Sequence, residues 1–354
     1  ILRPNSQPTY FDLHESAVET TNLAACVIGA NGSGKTQALM ALAFISDFCN
    51  GKQELNIAHN KRVHLPTELI LDFYIEKTKY RYELSLLDDN VLTEALYKKT
   101  SRQYSYVFEV NNTQPKKTIK VSGNKNNTLI DKYLPANESL FTLTTNLNNP
   151  DIIIASNFLK SFEHNLFANN TKGKEEEASI QFLETLYDKP RMHAQLNKLL
   201  SQMDLGVHSI VIEKNPDNNN AIEAYGEHIV NKKTIKLPLS SESRGTKLVI
   251  LLLSKIIPAF EKGTLCLIND MDENLHPMLL GMIVNLFSVN TEAKHPQLLF
   301  SSSKADILEK FKKHQVFITD KSTLYRVDEI TGLRNDANLY TKYMTGALGG
   351  VPNI

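Results

Sequence analysis

Hydrophobic and polar positions change period several times along this chain, and each change marks an element. Residues 22–28 are almost continuously apolar, stop at Gly29, and lead through a glycine-rich loop into helically spaced apolar residues over 37–47, which predicts strand, loop, helix. From 64 to about 121 the period falls to two, as in Leu69, Leu71, Phe73 and Ile75, then Tyr80, Tyr82, Leu84 and Leu86, with a turn-like Glu76-Lys-Thr-Lys79 between them. That alternation predicts antiparallel hairpins. The Lys- and Asn-rich stretch 116–127 is expected to be an exposed loop. Helical spacing returns over 152–202, with the charged 171–177 as its expected interruption, and a further β segment over about 207–239 contains an Asn-rich turn at 215–220. After Ser240 the pattern reads helix 248–260, strand 265–268, helix 277–290, strand 297–300, helix 304–313, and strands 316–319 and 324–327. Alternation of this kind implies a largely parallel sheet under helices, and the two α/β stretches are expected to close one sheet. No sustained heptad or fixed-period repeat occurs, which excludes long coiled-coil arms and solenoids.

Composition narrows the classes without naming a partner. With 354 residues, 42% apolar and 22% charged, the chain has ordinary globular values, which excludes wholesale disorder. Its 39 basic and 39 acidic side chains cancel, which argues against a chain built mainly to coat nucleic acid or an anionic membrane. Cys26, Cys49 and Cys266 are far apart and form no CxxC pair, so neither a disulfide framework nor a clustered zinc site is expected, and a reducing cytoplasm fits. The most apolar stretch, 248–260, is broken by Lys255 and Pro258 and falls short of the ~20 residues a membrane span needs. The sequence opens without Met and without a basic and apolar leader, so its natural N-terminus is expected to lie upstream.

The chemistry concentrates at Gly29-Ala-Asn-Gly-Ser-Gly-Lys-Thr36, a full match to GxxxxGK[ST] in strand-to-helix context. Gly29, Gly32 and Gly34, with Asn31 and Ser33 between them, permit a backbone nest whose amides point at phosphate oxygens. Lys35 would neutralise the β and γ phosphates, and Thr36 offers a hydroxyl to Mg²⁺. A glycine-rich turn that happens to carry Lys and Thr is the bland alternative. The expected cofactors are ATP and Mg²⁺.

This loop, together with Ser241-Glu-Ser-Arg-Gly-Thr246 before a helix and Leu275-His-Pro277 after an apolar strand, resembles ABC/SMC-type ATPase heads. Within that group the chain looks like the AAA-type ATPases of bacterial abortive-infection and anti-phage systems, the RloA/PtuA-like branch. The closing 340–354 and the Leu134-Pro-Ala-Asn-Glu-Ser-Leu140 segment also look like that branch. The resemblance implies an α/β fold: an ABC-type P-loop head with a mixed sheet, an antiparallel β subdomain and an inserted helical lid. The corresponding division is a core of 1–63 and 240–354, a β subdomain of 64–149, a helical insert of 150–205, and a β segment of 206–239.

The resemblance also assigns roles. A signature loop would reach across a dimer to the γ-phosphate on the partner's loop, and here Ser243, Gly245 and Thr246 match it, with Arg244 in place of a small residue. An ordinary helix N-cap at Ser243 is the plain alternative. Counting back from Leu275 places Asn269 where an Asp would support Mg²⁺ through water, and Asp270 where a Glu would orient the attacking water. Asn brings no negative charge to the metal, and Asp is one methylene short for proton transfer. A competing alignment makes Asp272 and Glu273 the pair; otherwise Asp272 belongs to a dimer-contact loop. Ser303 stands where related heads place a γ-phosphate-sensing His, and His276 reads as a helix N-terminal residue.

An intact phosphate grip with altered hydrolytic positions implies tight ATP binding and slow turnover, the behaviour of a switch. The expected function is an ATP-binding regulatory subunit of a bacterial anti-phage complex, forming an ATP-sandwich homodimer or higher even oligomer. It would control a separate effector, by resemblance an HNH-type nuclease, with DNA or RNA reached through the complex and no membrane. The chain itself carries no HNH-like His/Asn cluster. The alternative is an active DNA-linked SMC-like ATPase of repair or translocation.

Overall fold

The computed structural model describes residues 2–3, 12–14, 20–52, 65–114, 116–123, 133–166, 172–215, 221–272, 275–288, 294–321 and 323–352. The chain divides into two compact units, one of residues 1–8, 13–21 and 36–162, the other of 9–12, 22–35 and 163–354.

The first unit is built on a five-stranded antiparallel meander, Thr67–Ile75, Thr78–Leu87, Asn90–Thr100, Gln103–Asn111 and Thr118–Val121, in sequence order across the sheet. Period-two alternation sends Tyr80, Tyr82, Leu84 and Leu86 inward, where they are 3%, 0%, 2% and 3% exposed, while Lys79, Arg81 and Glu83 take the other face. Phe141 closes the inner face, edge-on to Phe108 with ring centroids 5.2 Å apart. The last strand corrects the loop expected over 116–127. Its four residues pair with 108–111, and Ile119 and Val121 are buried there, two apolar positions too few to show a period amid lysines. Residues 124–127 lie outside the described residues.

The second unit holds a six-stranded mixed sheet in the order Glu163–His164, Leu265–Ile268, Gln297–Ser302, Ala24–Ile28, Val316–Asp320, Thr323–Arg326. The first five strands are parallel and the last is antiparallel. The sheet therefore joins 24–28 to strands more than 230 residues later, closing one sheet from both α/β stretches. Leu265–Ile268, Gln297–Ser302 and Ala24–Ile28 are almost wholly buried, the pattern of a parallel sheet covered on both faces. The Arg244–Lys262 helix buries ten residues from Thr246 to Ala259 and ends at Gly263, whose φ of 67° gives the left-handed C-cap. A three-stranded antiparallel sheet, Ser209–Asn215, Ala221–Val230 and Lys233–Pro238, leads into that helix. The Asn-rich turn beyond Asn215 lies outside the described residues.

Three further expectations change. The helical stretch 152–202 is broken by the strand Glu163–His164, too short to show a period, which pairs in parallel with Cys266 and Leu267. The charged run from Lys172 is no interruption: it opens the Lys172–Tyr187 helix, as strong helix formers such as Glu and Lys allow. The helix expected over 304–313 is a short 3₁₀ turn, Ala305–Lys310, because Phe311 leaves it in extended conformation to pack on Phe300.

Candidate functional site

In parallel α/β sheets ligands gather beyond the carboxyl ends of the strands, and Gly29, Asn269 and Ser303 each follow such an end directly. Register fixes the levels: Ser302 lies beside Ile28, Ile28 beside Ile318, and Ile268 beside Phe300. The phosphate-loop strand and the strand ending at Ile268 are thus separated by one strand, Gln297–Ser302.

The loop's shape follows from its glycines. Gly32 and Gly34 have φ of 76° and 110°, conformations that a side chain would strain. A Cβ on Gly29 would lie 2.5 Å from the Thr319 carbonyl oxygen and 2.6 Å from Ser33 Oγ, so this position has no space for one. Ser33 is buried, and its hydroxyl bonds that of Thr319 at 2.6 Å. Asn31 and Gly32 are exposed at the rim, and Thr36 follows in the first turn of the Lys35–Cys49 helix, half-buried.

Lys35 is 6% exposed, and its ammonium donates to the carbonyls of Gly29 at 2.9 Å and Ala30 at 3.1 Å. Among the described residues no carboxylate lies within ion-pair distance of it. A buried cation held by neutral oxygens is costly until an anion joins it. The loop therefore fits a phosphate group, on its own geometry.

At the end of Leu265–Ile268, Asn269 is held on three sides. Asn165 clamps its backbone, accepting from the Asn269 N–H at 2.7 Å and donating to its carbonyl at 3.0 Å. The Asn269 side chain accepts from Ser301 Oγ at 2.9 Å and donates to Asp270 Oδ2 at 2.9 Å. Asp270 adopts φ of 47°, and its N–H donates to Ser301 Oγ at 2.8 Å. Ser301 thus ties both residues to the neighbouring strand.

Asp272 is 5% exposed, and its carboxylate accepts from the Ser303 N–H at 3.2 Å. The carboxylate is thus buried within its own unit, bonded to the segment that follows the neighbouring strand. Its charge also reaches Cys26, whose thiol is pushed far up, first by burial and then by Asp272. Glu273, the second member of the alternative pair, lies outside the described residues. Ser303 is exposed, beside Lys304, whose ammonium donates to the carbonyls of Asp272 and Leu275. His276 Nδ1 accepts from the Met278 N–H at 3.3 Å, at the start of the Pro277–Ser288 helix.

Ser243 is the N-cap of the Arg244–Lys262 helix, its hydroxyl accepting from the Thr246 N–H at 3.1 Å. Ser243 and Arg244 are exposed and Gly245 partly so, while Thr246 is buried. Glu242 is buried before them and bonds His228 Nε2 at 2.7 Å.

Asn165, Ser301 and Thr319 are the neighbours that sequence reading missed. None has a motif of its own; each acts through a long-range bond. No group of three or more His, Cys, Asp or Glu suited to a metal occurs among the described residues. All three cysteines are free and buried, and no described helix is long and apolar enough to cross a membrane.

A model of the family described as "AAA domain, putative AbiEii toxin, Type IV TA system" matches residues 24–302. No curated protein matches the chain. Among solved structures it is similar to an SmcHead bound to the C-winged helix domain of ScpA, at 11% identity over 88% of this chain and 93% of that one, TM-score 0.45. An SMC head domain from Thermotoga maritima matches at 11% identity over 88% and 94%, TM-score 0.38. A Smc head domain with an extended coiled coil, bound to the C-terminal domain of ScpA derived from Pyrococcus furiosus, matches at 10% identity over 88% and 92%, TM-score 0.42.

Proposed function

The chain belongs to this AAA-domain family, and from that premise we propose that it is an ATP-binding regulatory subunit of a bacterial anti-phage defence complex, cytoplasmic, closing as a homodimer around ATP and hydrolysing it slowly. Gly29, Asn31, Gly32, Ser33, Gly34 and Lys35 hold the triphosphate, Thr36 contributes a hydroxyl to Mg²⁺, and Ser243 and Gly245 meet the γ-phosphate on a second copy. Bound Mg²⁺ neutralises developing charge on the phosphates. The effector it controls is a separate protein, an HNH-type nuclease by resemblance.

The observation that carries the reading is the contrast along one sheet edge. Lys35 is a buried cation held by two neutral carbonyls of the loop, whereas Asn269 engages its side-chain carbonyl with Ser301 and its amide with Asp270. Asn269 adds no charge behind the metal. Asp270 gives one carboxylate oxygen to that amide, and its side chain is one methylene shorter than a Glu in that place would be.

ATP affinity and turnover measured side by side test this. Lys35→Ala is expected to abolish binding, and Asp270→Ala to leave it within about twofold, since phosphate contacts supply the affinity. Asn269→Asp combined with Asp270→Glu is expected to raise turnover by roughly tenfold or more, the scale of a repositioned general base. Robust turnover in the unmodified protein that disappears in Asp270→Ala would refute the slow switch, and stimulation of that turnover by DNA would favour the SMC-like alternative.

A further inference from the structure

The closing segment of the chain lies against the phosphate loop's strand end, more than 310 residues away in sequence. Gly350 accepts at its carbonyl from the Ala30 N–H at 2.8 Å, inside the loop itself. The same oxygen accepts from the Tyr343 hydroxyl at 2.9 Å, and Tyr343 is 6% exposed. One residue pair earlier, the Leu348 carbonyl accepts from Tyr325 Oη at 2.6 Å. Two tyrosines from different elements therefore fix the strap that reaches Ala30.

Glycine is required where the strap passes. Gly349 and Gly350 have φ of 73° and 70°. A Cβ on Gly350 would lie 2.5 Å from Ile318 Cγ2 and 3.2 Å from the Thr319 carbonyl, and one on Gly349 would fall on Tyr325 Oη. Thr319 stands between strap and loop. Its hydroxyl bonds Ser33 Oγ at 2.6 Å and donates to the Ile28 carbonyl at 3.4 Å, and it fills the space that a Gly29 side chain would need.

We propose that Gly350 and Thr319 are positioning residues of the nucleotide site, holding the Gly29–Lys35 loop from the far end of the chain so that they set its affinity for triphosphate. The proposal rests on the ATP-binding reading above. The strap takes up the Ala30 amide and Thr319 takes up the Ser33 hydroxyl, leaving the loop in one shape with Lys35 drawn over it. Preorganisation of this kind lowers the ordering cost of binding. A partner that lifted the closing segment would loosen the grip without touching the nucleotide.

Three variants separate this from plain packing. Thr319→Val keeps the shape and removes the hydroxyl, Thr319→Ser keeps the hydroxyl, and Tyr343→Phe removes one bond to Gly350. ATP affinity is measured on each, together with apo-protein melting and hydrogen exchange of the 30–33 amides without nucleotide. Thr319→Val and Tyr343→Phe are expected to weaken ATP binding about three- to tenfold, the scale of one lost hydrogen bond. Exchange at 30–33 accelerates in both, and Thr319→Ser restores both readouts. Unchanged affinity and exchange in Thr319→Val and Tyr343→Phe, or losses that merely track a lower melting point across all three variants, would overturn the proposal. If the unmodified protein binds no ATP, the function reading and the affinity claim fall together, while unaccelerated exchange in an ATP-binding protein sinks the strap alone.

Discussion

Glu94 is fully buried, and its two oxygens accept from Tyr82 Oη at 2.8 Å, Ser139 Oγ at 2.5 Å and the Leu140 N–H at 2.8 Å. Burial pushes its carboxyl up, and those three donors pull it part of the way back. Removing the acceptor strands three buried donors, so Glu94→Ala is expected to cost roughly 3 kcal/mol or more in denaturant unfolding. Glu94→Gln cannot serve all three donors, because its NH₂ would face one of them. The sign with pH follows from the raised folded value. Glu94's contribution is fully present below the ordinary carboxylate range and is lost as pH rises through its folded pKa. The unmodified protein should therefore gain stability over Glu94→Gln as pH falls from neutral towards about 4. A difference that stays flat with pH would show that this carboxyl titrates as it does in the unfolded chain.

Elements placed by local chemistry were legible in the sequence; elements placed by distant contacts were not. The phosphate loop is contiguous, and its strand, turn and helix each announce themselves by period and by glycine, so loop and context were readable together. The hairpins over 67–111 were readable because alternation runs long enough to repeat. Glu163–His164 was not, since two residues carry no period and their place comes from pairing with Cys266 and Leu267. The same holds for Asn165, Ser301 and Thr319, whose partners lie 104, 31 or 32, and 286 residues away. The three-stranded sheet shows how an element supports the turn that opens the Arg244–Lys262 helix. A Cβ on Gly226 would fall on Glu242 Oε1, the oxygen that bonds His228, so the buried carboxylate sits over a bare strand position. Gly226→Ala should unseat it and destabilise the protein by about 2 kcal/mol, the scale of overpacking. Glu242→Gln keeps an acceptor for His228 and should be much milder; equal losses from the two would place the cost elsewhere than in this seat.

At the scale of the molecule, the two-copy reading makes a demand that one copy cannot meet. Asn31 and Gly32 are exposed at the phosphate loop, and Ser243 is exposed and Gly245 partly so at the start of the Arg244–Lys262 helix. Within one chain, a Cβ on Gly245 would meet nothing nearer than Ser243 Oγ at 3.8 Å, so the position has room for a side chain. An acidic residue in the first turn of a helix is also favoured by the helix dipole. Gly245→Asp should therefore leave the melting point of a single copy unchanged or slightly raised, and leave ATP affinity at the phosphate loop intact. In the ATP-bound dimer the same carboxylate would face the γ-phosphate of the second copy, and two like charges at close range are strongly unfavourable there. Mass measurement with and without ATP is expected to show doubling for the unmodified protein and for Asp270→Ala, and no doubling for Gly245→Asp. If Gly245→Asp still doubles with ATP, the helix start does not meet a partner's phosphate, and Ser243 is left with its N-cap role alone.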